Sequence, residues 1–126
     1  MVFLIKETGS AAPYTNVAVV PGTGTAVSTQ SIHAEIFGFC SPENEAYFDG
    51  YNVGDTNFNG RTTVLSATAS IIPNVQYHIK LVIADGSDQA WDSGVFLQAG
   101  SFTSNAVVIG ASSVLGAGFN EAVEGC

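Results

Sequence analysis

Apolar and polar side chains alternate most regularly between Val75 and Ala84. Tyr77, Ile79, Leu81 and Ile83 fall on one parity, His78 and Lys80 on the other. A period of two is the signature of a half-buried β-strand. Shorter runs rich in Val, Ile, Phe and Thr, bounded by Gly, Pro, Asn and Ser, predict further strands. These are Val2–Lys6, Asn16–Val20 (closed by Pro21-Gly22), Thr62–Ser70, Gly94–Gln98 and Ala106–Ile109. Val27 to Phe39 reads as one or two strands, with Ile32, Ala34 and Ile36 alternating. Gly9 to Tyr14 reads as a loop, Ser41 to Gly60 as a long ordered loop, and Asp85 to Ser93 as a tight acidic loop. Gly110 to Cys126 reads as a Gly-rich tail. No stretch has the 3.6-residue period of a helix longer than about two turns. Many short strands joined by Gly-rich turns predict an all-β fold, an antiparallel β-sandwich of jelly-roll type with long ordered loops.

The 126 residues suffice for one domain, 1–126, and not for two. Charged residues are only 11% of the chain, three basic against eleven acidic, for a net charge of −8. Nucleic-acid binding rests on Lys and Arg neutralising phosphates, so the charge argues against that partner and against an anionic membrane surface, and no nucleic acid is expected. The uncharged stretches 8–34 and 93–120 are long enough to span a bilayer, but Gly, Ser, Thr and Asn break both, so no membrane insertion is expected. Met1–Lys6 is too short an apolar run for a signal-peptide core.

Possible chemistry concentrates in the loops. Asp85, Asp88 and Asp92 lie within eight residues, directly after the clearest strand. Close carboxylates repel unless a cation or hydrogen-bond donors compensate. Ca2+ takes six to eight oxygens, which Asp side chains and loop carbonyls supply. A turn whose Asp residues bond backbone N–H groups accounts for the same residues, and both readings stay open. The EF-hand spacing is absent. A second group mixes acids, amides and aromatics: Tyr47, Asp49 and Tyr51, with Trp91 nearby in the acidic loop. Sugars offer hydroxyls and an apolar ring face, so this mixture suits a glycan; an ordered loop with aromatic core residues also fits. No catalytic residues are assigned. Ser93 follows Asp92 without a G-x-S-x-G elbow, His33 and His78 stand far apart, and Gly22-Thr23-Gly24 lacks the Lys of a phosphate loop. Cys40 and Cys126 lack metal-ligand spacing; pairing with each other, free thiols and an external partner for Cys126 all remain open.

Several ordered motifs resemble the choice-of-anchor L domain of bacterial surface proteins. The most specific is Pro73-Asn74-Val75-Gln76-Tyr77-His78-Ile79-Lys80-Leu81-Val82-Ile83-Ala84-Asp85, followed by Asp88, Asp92-Ser93, Val95-Phe96-Leu97 and Gly100-Ser101-Phe102. Asn16 to Thr23, Asn44-Glu45-Ala46-Tyr47-Phe48, Asn57-Phe58-Asn59-Gly60-Arg61-Thr62 and Val64 to Ala67 add to it, over about residues 2 to 109. The resemblance implies a non-enzymatic, extracellular or cell-surface β-sandwich module, structural or adhesive. It makes Asp85, Asp88 and Asp92 the leading Ca2+ ligands, with Asn59 and Asn44 behind them. It also implies that the chain corresponds to the C-terminal part of such a domain. On that reading an unpaired strand edge is left for a strand-donating partner or a second copy, through Val2–Ile5 or the Gly-rich tail. A carbohydrate-binding module and a self-assembling filament subunit are the alternative functions.

Overall fold

The computed structural model describes residues 1–84, 92–106 and 113–121, the last stretch through its backbone pairing. The strands are β1 (Val2–Glu7), β2 (Thr15–Asn16), β3 (Phe48–Tyr51), β4 (Gly60–Thr62), β5 (Leu65–Ile71), β6 (Tyr77–Val82), β7 (Val95–Leu97), β8 (Thr103–Ala106) and β9 (Ser113–Glu121). One sheet has the order β2-β1-β6, and a second has β5-β9-β7 with β8 also on β9. β3 and β4 form a separate pair. All pairings are antiparallel. Among the described residues the single helical element is a 3-10 turn at Glu45–Tyr47.

The two larger sheets share one core, as an all-β sandwich requires. Phe3 of β1 and Leu65 and Ala67 of β5 are buried, with Ile79 of β6 and Val95 of β7 packed against them. Strand alternation explains which residues go in: Phe3 and Ile5 point inward, and Ser66 and Thr68 flank Ala67 outward. The Phe3 ring meets the Phe102 ring edge-on at 6.0 Å. The deepest residues come from a segment with little strand. Ala18, Val20, Val27 and Ile32 are fully buried on two arms joined by the Val19–Ala26 bridge.

The expected strand Asn16–Val20 thus shrinks to Thr15–Asn16. The Asn16 side chain takes over the hydrogen bonds that would extend the ladder. Its Oδ1 accepts from Phe3 N at 2.9 Å and from Ala18 N at 3.1 Å. Val27 to Phe39 likewise forms bridges rather than strands. Ser28 and Ser31 bond each other's backbone and hydroxyls, and this local bonding competes with a ladder. Thr62–Ser70 divides at Thr63, whose N–H bonds Tyr47 O, so that β4 and β5 serve different pairings. The long loop 41–60 contains β3 and half of the β3–β4 pair. Of Ala106–Ile109, only Ala106 lies among the described residues, at the end of β8.

Two expectations about edges are corrected. Val2–Ile5 belongs to β1, the middle strand of its sheet, paired with β2 on one side and β6 on the other. The Gly-rich tail supplies β9, the middle strand of the second sheet, paired with β5 along Leu65–Ile71 and with β7 and β8 opposite. Neither is an open edge. β6 pairs only with β1 among the described residues, and its end is apolar and exposed at Leu81 and Val82.

Candidate functional site

The acidic and aromatic loops are organised by amide and ring contacts. Asn44 adopts a left-handed conformation at the start of the 3-10 turn. Its Nδ2 donates to Ser31 O at 2.7 Å and to Glu43 Oε1 at 3.1 Å, tying this loop to the Ser28–Ser31 turn. Tyr47 is half-buried and packs against the core, whereas the Tyr51 ring is exposed and meets Phe48 edge-on at 4.8 Å. Asp49 accepts from Arg61 Nε at 2.6 Å. Both partners are about a third exposed, so solvent screens the pair. The Phe58 ring packs on Gly94 and stands 6.0 Å from the Phe96 ring. The loop carrying Asn59 therefore lies against the segment that starts at Asp92. Asn59 and Asp92 are both exposed. Asp85, Asp88 and Trp91 lie outside the described residues. Among the described residues, no three His, Cys, Asp or Glu gather as a metal would require.

His33 is buried beside a polar cleft of about 360 Å3 lined by Ser28, Ser31, Cys40 and Glu43. Its Nδ1 bonds the Ala34 carbonyl at 3.1 Å, while Ser31 Oγ donates to Ala26 O at 2.8 Å. Ser31 Oγ and His33 Nδ1 thus each bond a backbone carbonyl, while Ser31 Oγ also meets Ser28 Oγ and His33 Nδ1 lies 3.9 Å from Cys40 Sγ. A nucleophile would need the imidazole bonded to the hydroxyl. Cys40 is disulfide-bonded, which removes the free-thiol reading for that residue; Cys126 lies outside the described residues.

Two features escape a linear reading. The first is a turn, Ile36 to Cys40, closed by an Ile36–Cys40 bridge with Gly38 at φ 80°. It presents Phe37 and Phe39 at 91% and 90% exposure. The second sits on the outer face of the β2-β1-β6 sheet. The β1–β6 register places Lys6 opposite His78 and Leu4 opposite Lys80. Tyr14 closes over them from the loop after β1. Its hydroxyl bonds His78 Nδ1 at 2.7 Å, and the ammonium groups of Lys6 and Lys80 stand 5.0 and 4.6 Å from its ring centre. These are the only two lysines of the chain. Alternation could place each on a polar strand face, but only long-range pairing brings them to one ring.

The profile of the Choice-of-anchor L domain matches residues 1–103. No curated protein and no solved structure matches the chain. The matched span takes in most of the chain, including β1 to β7 and the core they build, and on that ground the chain belongs to the Choice-of-anchor L domain family.

Proposed function

We propose that this bacterial surface-associated module is a non-enzymatic adhesive domain, a sandwich that holds contact residues rather than a reaction centre. The observation that carries the reading is the Phe37-Gly38-Phe39 tip. Lone exposed apolar residues are ordinary, but two almost fully exposed phenylalanines on one short turn form a ready contact for an apolar partner surface. Cys40, at the foot of the turn, is disulfide-bonded, which limits how far the tip can relax. A disulfide also suits the oxidising exterior of the cell. Among the described residues no helix is long and apolar enough to cross a membrane.

The test is retention of protein-coated beads on an alkyl-terminated surface against a hydroxyl-terminated one. Burying a phenylalanine is worth about 1.5–3 kcal/mol, roughly tenfold or more in affinity per ring. The double substitution Phe37→Ser with Phe39→Ser is expected to abolish the preference for the alkyl surface and leave the melting temperature unchanged. Undiminished retention by a folded double variant sinks the proposal.

The same reading includes a Ca2+ ion held by Asp85, Asp88 and Asp92, with Asn59 and Asn44 as further oxygen donors. It is supported by the exposure of Asp92 and by the packing of the Asn59 loop beside Gly94. The Asn44 amide nitrogen is committed to Ser31 and Glu43, which leaves Oδ1 as its ligand atom.

A further inference from the structure

We infer that the outer face of the β2-β1-β6 sheet is a binding subsite for the carboxylate of an acidic sugar, held by Lys6 and Lys80 around Tyr14. The inference rests on the reading of the chain as a binding module and places a ligand on a different part of it from the phenylalanine tip.

The chain has three basic residues against eleven acidic ones, yet two of the three converge on one ring. Like charges held together are unfavourable unless something compensates. Arg61 is compensated by Asp49. Lys6 and Lys80 have no ion pair among the described residues; the Tyr14 ring is what faces them. A ring quadrupole attracts an exposed ammonium more weakly than a charge-assisted bond to an oxyanion does. The Tyr14 hydroxyl and the His78 imidazole, bonded to each other, add polar groups to this face. The face is thus rich in donors, and its cations are available to a ligand.

A cleft of about 430 Å3 adjoins this face and shares Lys6 with it. It runs between β1 and the end of β5, bordered by the loop that carries Tyr14. Thr15, Thr68 and Ser70 give it hydroxyls, Glu7 a hydrogen-bond acceptor, and Ile5 and Pro13 an apolar wall. That combination matches a pyranose ring, with hydroxyls at its rim and an apolar face. The volume lies within the range of small-molecule sites, about 300–1,000 Å3. An acidic peptide would use the cations but not the hydroxyl-lined cleft, which is why the sugar is favoured.

The experiment is calorimetric titration of the full chain with tetragalacturonate. The parallel titrations use its methyl ester, a tetraglutamate peptide and inorganic phosphate. Binding of tetragalacturonate is expected, weakened about tenfold or more by esterification and by Lys80→Gln, since each removes a charge-assisted contact. Lys6→Gln is expected to act in the same direction. Affinity should fall as salt rises. Lys80 is exposed, so its variant is expected to melt with the parent chain. Equal binding of acid and methyl ester overturns the proposal, as does binding indifferent to Lys80→Gln. Tighter binding of tetraglutamate reassigns the face to acidic protein segments, and phosphate binding as tight as uronate removes the role of the cleft; either result also overturns it. Absence of binding by all four probes does the same. The Phe37→Ser, Phe39→Ser chain separates the two readings. Uronate binding that survives in it while bead retention is unaffected would remove the tip proposal alone.

Discussion

Asn16 shows how one side chain can end a strand and still hold the fold together. Its carboxamide accepts from Phe3 N and Ala18 N and donates to Ala18 O at 3.3 Å, on a residue that is half-buried. Truncation leaves two backbone donors short of partners near the core. A group stranded this way costs about 1–3 kcal/mol. Asn16→Ala is therefore expected to lose about 2 kcal/mol in denaturant unfolding, whereas Asn57→Ala, in the exposed loop, should change little. A measured loss below a few tenths of a kcal/mol would show that water replaces the amide. An asparagine before a Val run reads equally well as a strand start, so this role was not legible in the sequence. It depends on where Phe3 lies.

At the scale of elements, β1, β5, β6 and β7 were largely legible, because a half-buried strand imprints its period on the residues. Tyr77 and Ile79 turn toward the core and His78 and Lys80 turn out, but Leu81 and Ile83, of the same parity as Ile79, are exposed. β3, β4, β8 and β9 were not legible, nor was the path of Val27 to Phe39. Val27 to Phe39 has strand-forming residues but is taken over by the Ser28–Ser31 turn. β9 contains Gly116 and Gly118, residues depleted in strands, and is a strand because it is paired on both sides. Its position as the middle strand makes a clear expectation. A chain truncated after residue 112 loses the partner of β5, β7 and β8 together. It should show no cooperative unfolding transition for that sheet, with a lower β signal in circular dichroism. A truncated chain that melts like the parent would contradict the register of this sheet.

At the scale of the molecule, charge is the organising quantity. With a net charge of −8, repulsion works against compactness, and the acidic segment from Asp85 to Asp92 contributes three of the negative charges. Cation binding to the native state alone raises stability as RT ln(1 + [L]/Kd), about 2.7 kcal/mol at a hundredfold excess over Kd. If Ca2+ is bound as proposed, excess Ca2+ should raise the melting temperature by several degrees over a chelator, and Asp85→Asn should remove the shift. Identical melting curves would leave those carboxylates as turn residues. The solution mass of the same samples addresses assembly. With β1 and β9 internal, β6 is one of the edge strands among the described residues, and its exposed apolar end is where copies could pair. A mass that rises with concentration and reverts in Val82→Lys would locate assembly there; a constant monomer mass would exclude it.

By itself the sequence determined the class of fold, most of the strands that pack the core, and the family. These follow from local periodicity and ordered motifs, both of which can be read along the chain. It also held the acidic loop as a site without deciding between a cation and a turn. The tertiary structure alone decided which strands are central, because strand order comes from pairing between distant segments. It alone decided that Phe37 and Phe39 face outward, because an apolar residue carries no label for the side it will occupy. And it alone brought Lys6, Tyr14, His78 and Lys80 together, because their meeting depends on the β1–β6 register, in which each residue's partner lies some seventy positions away.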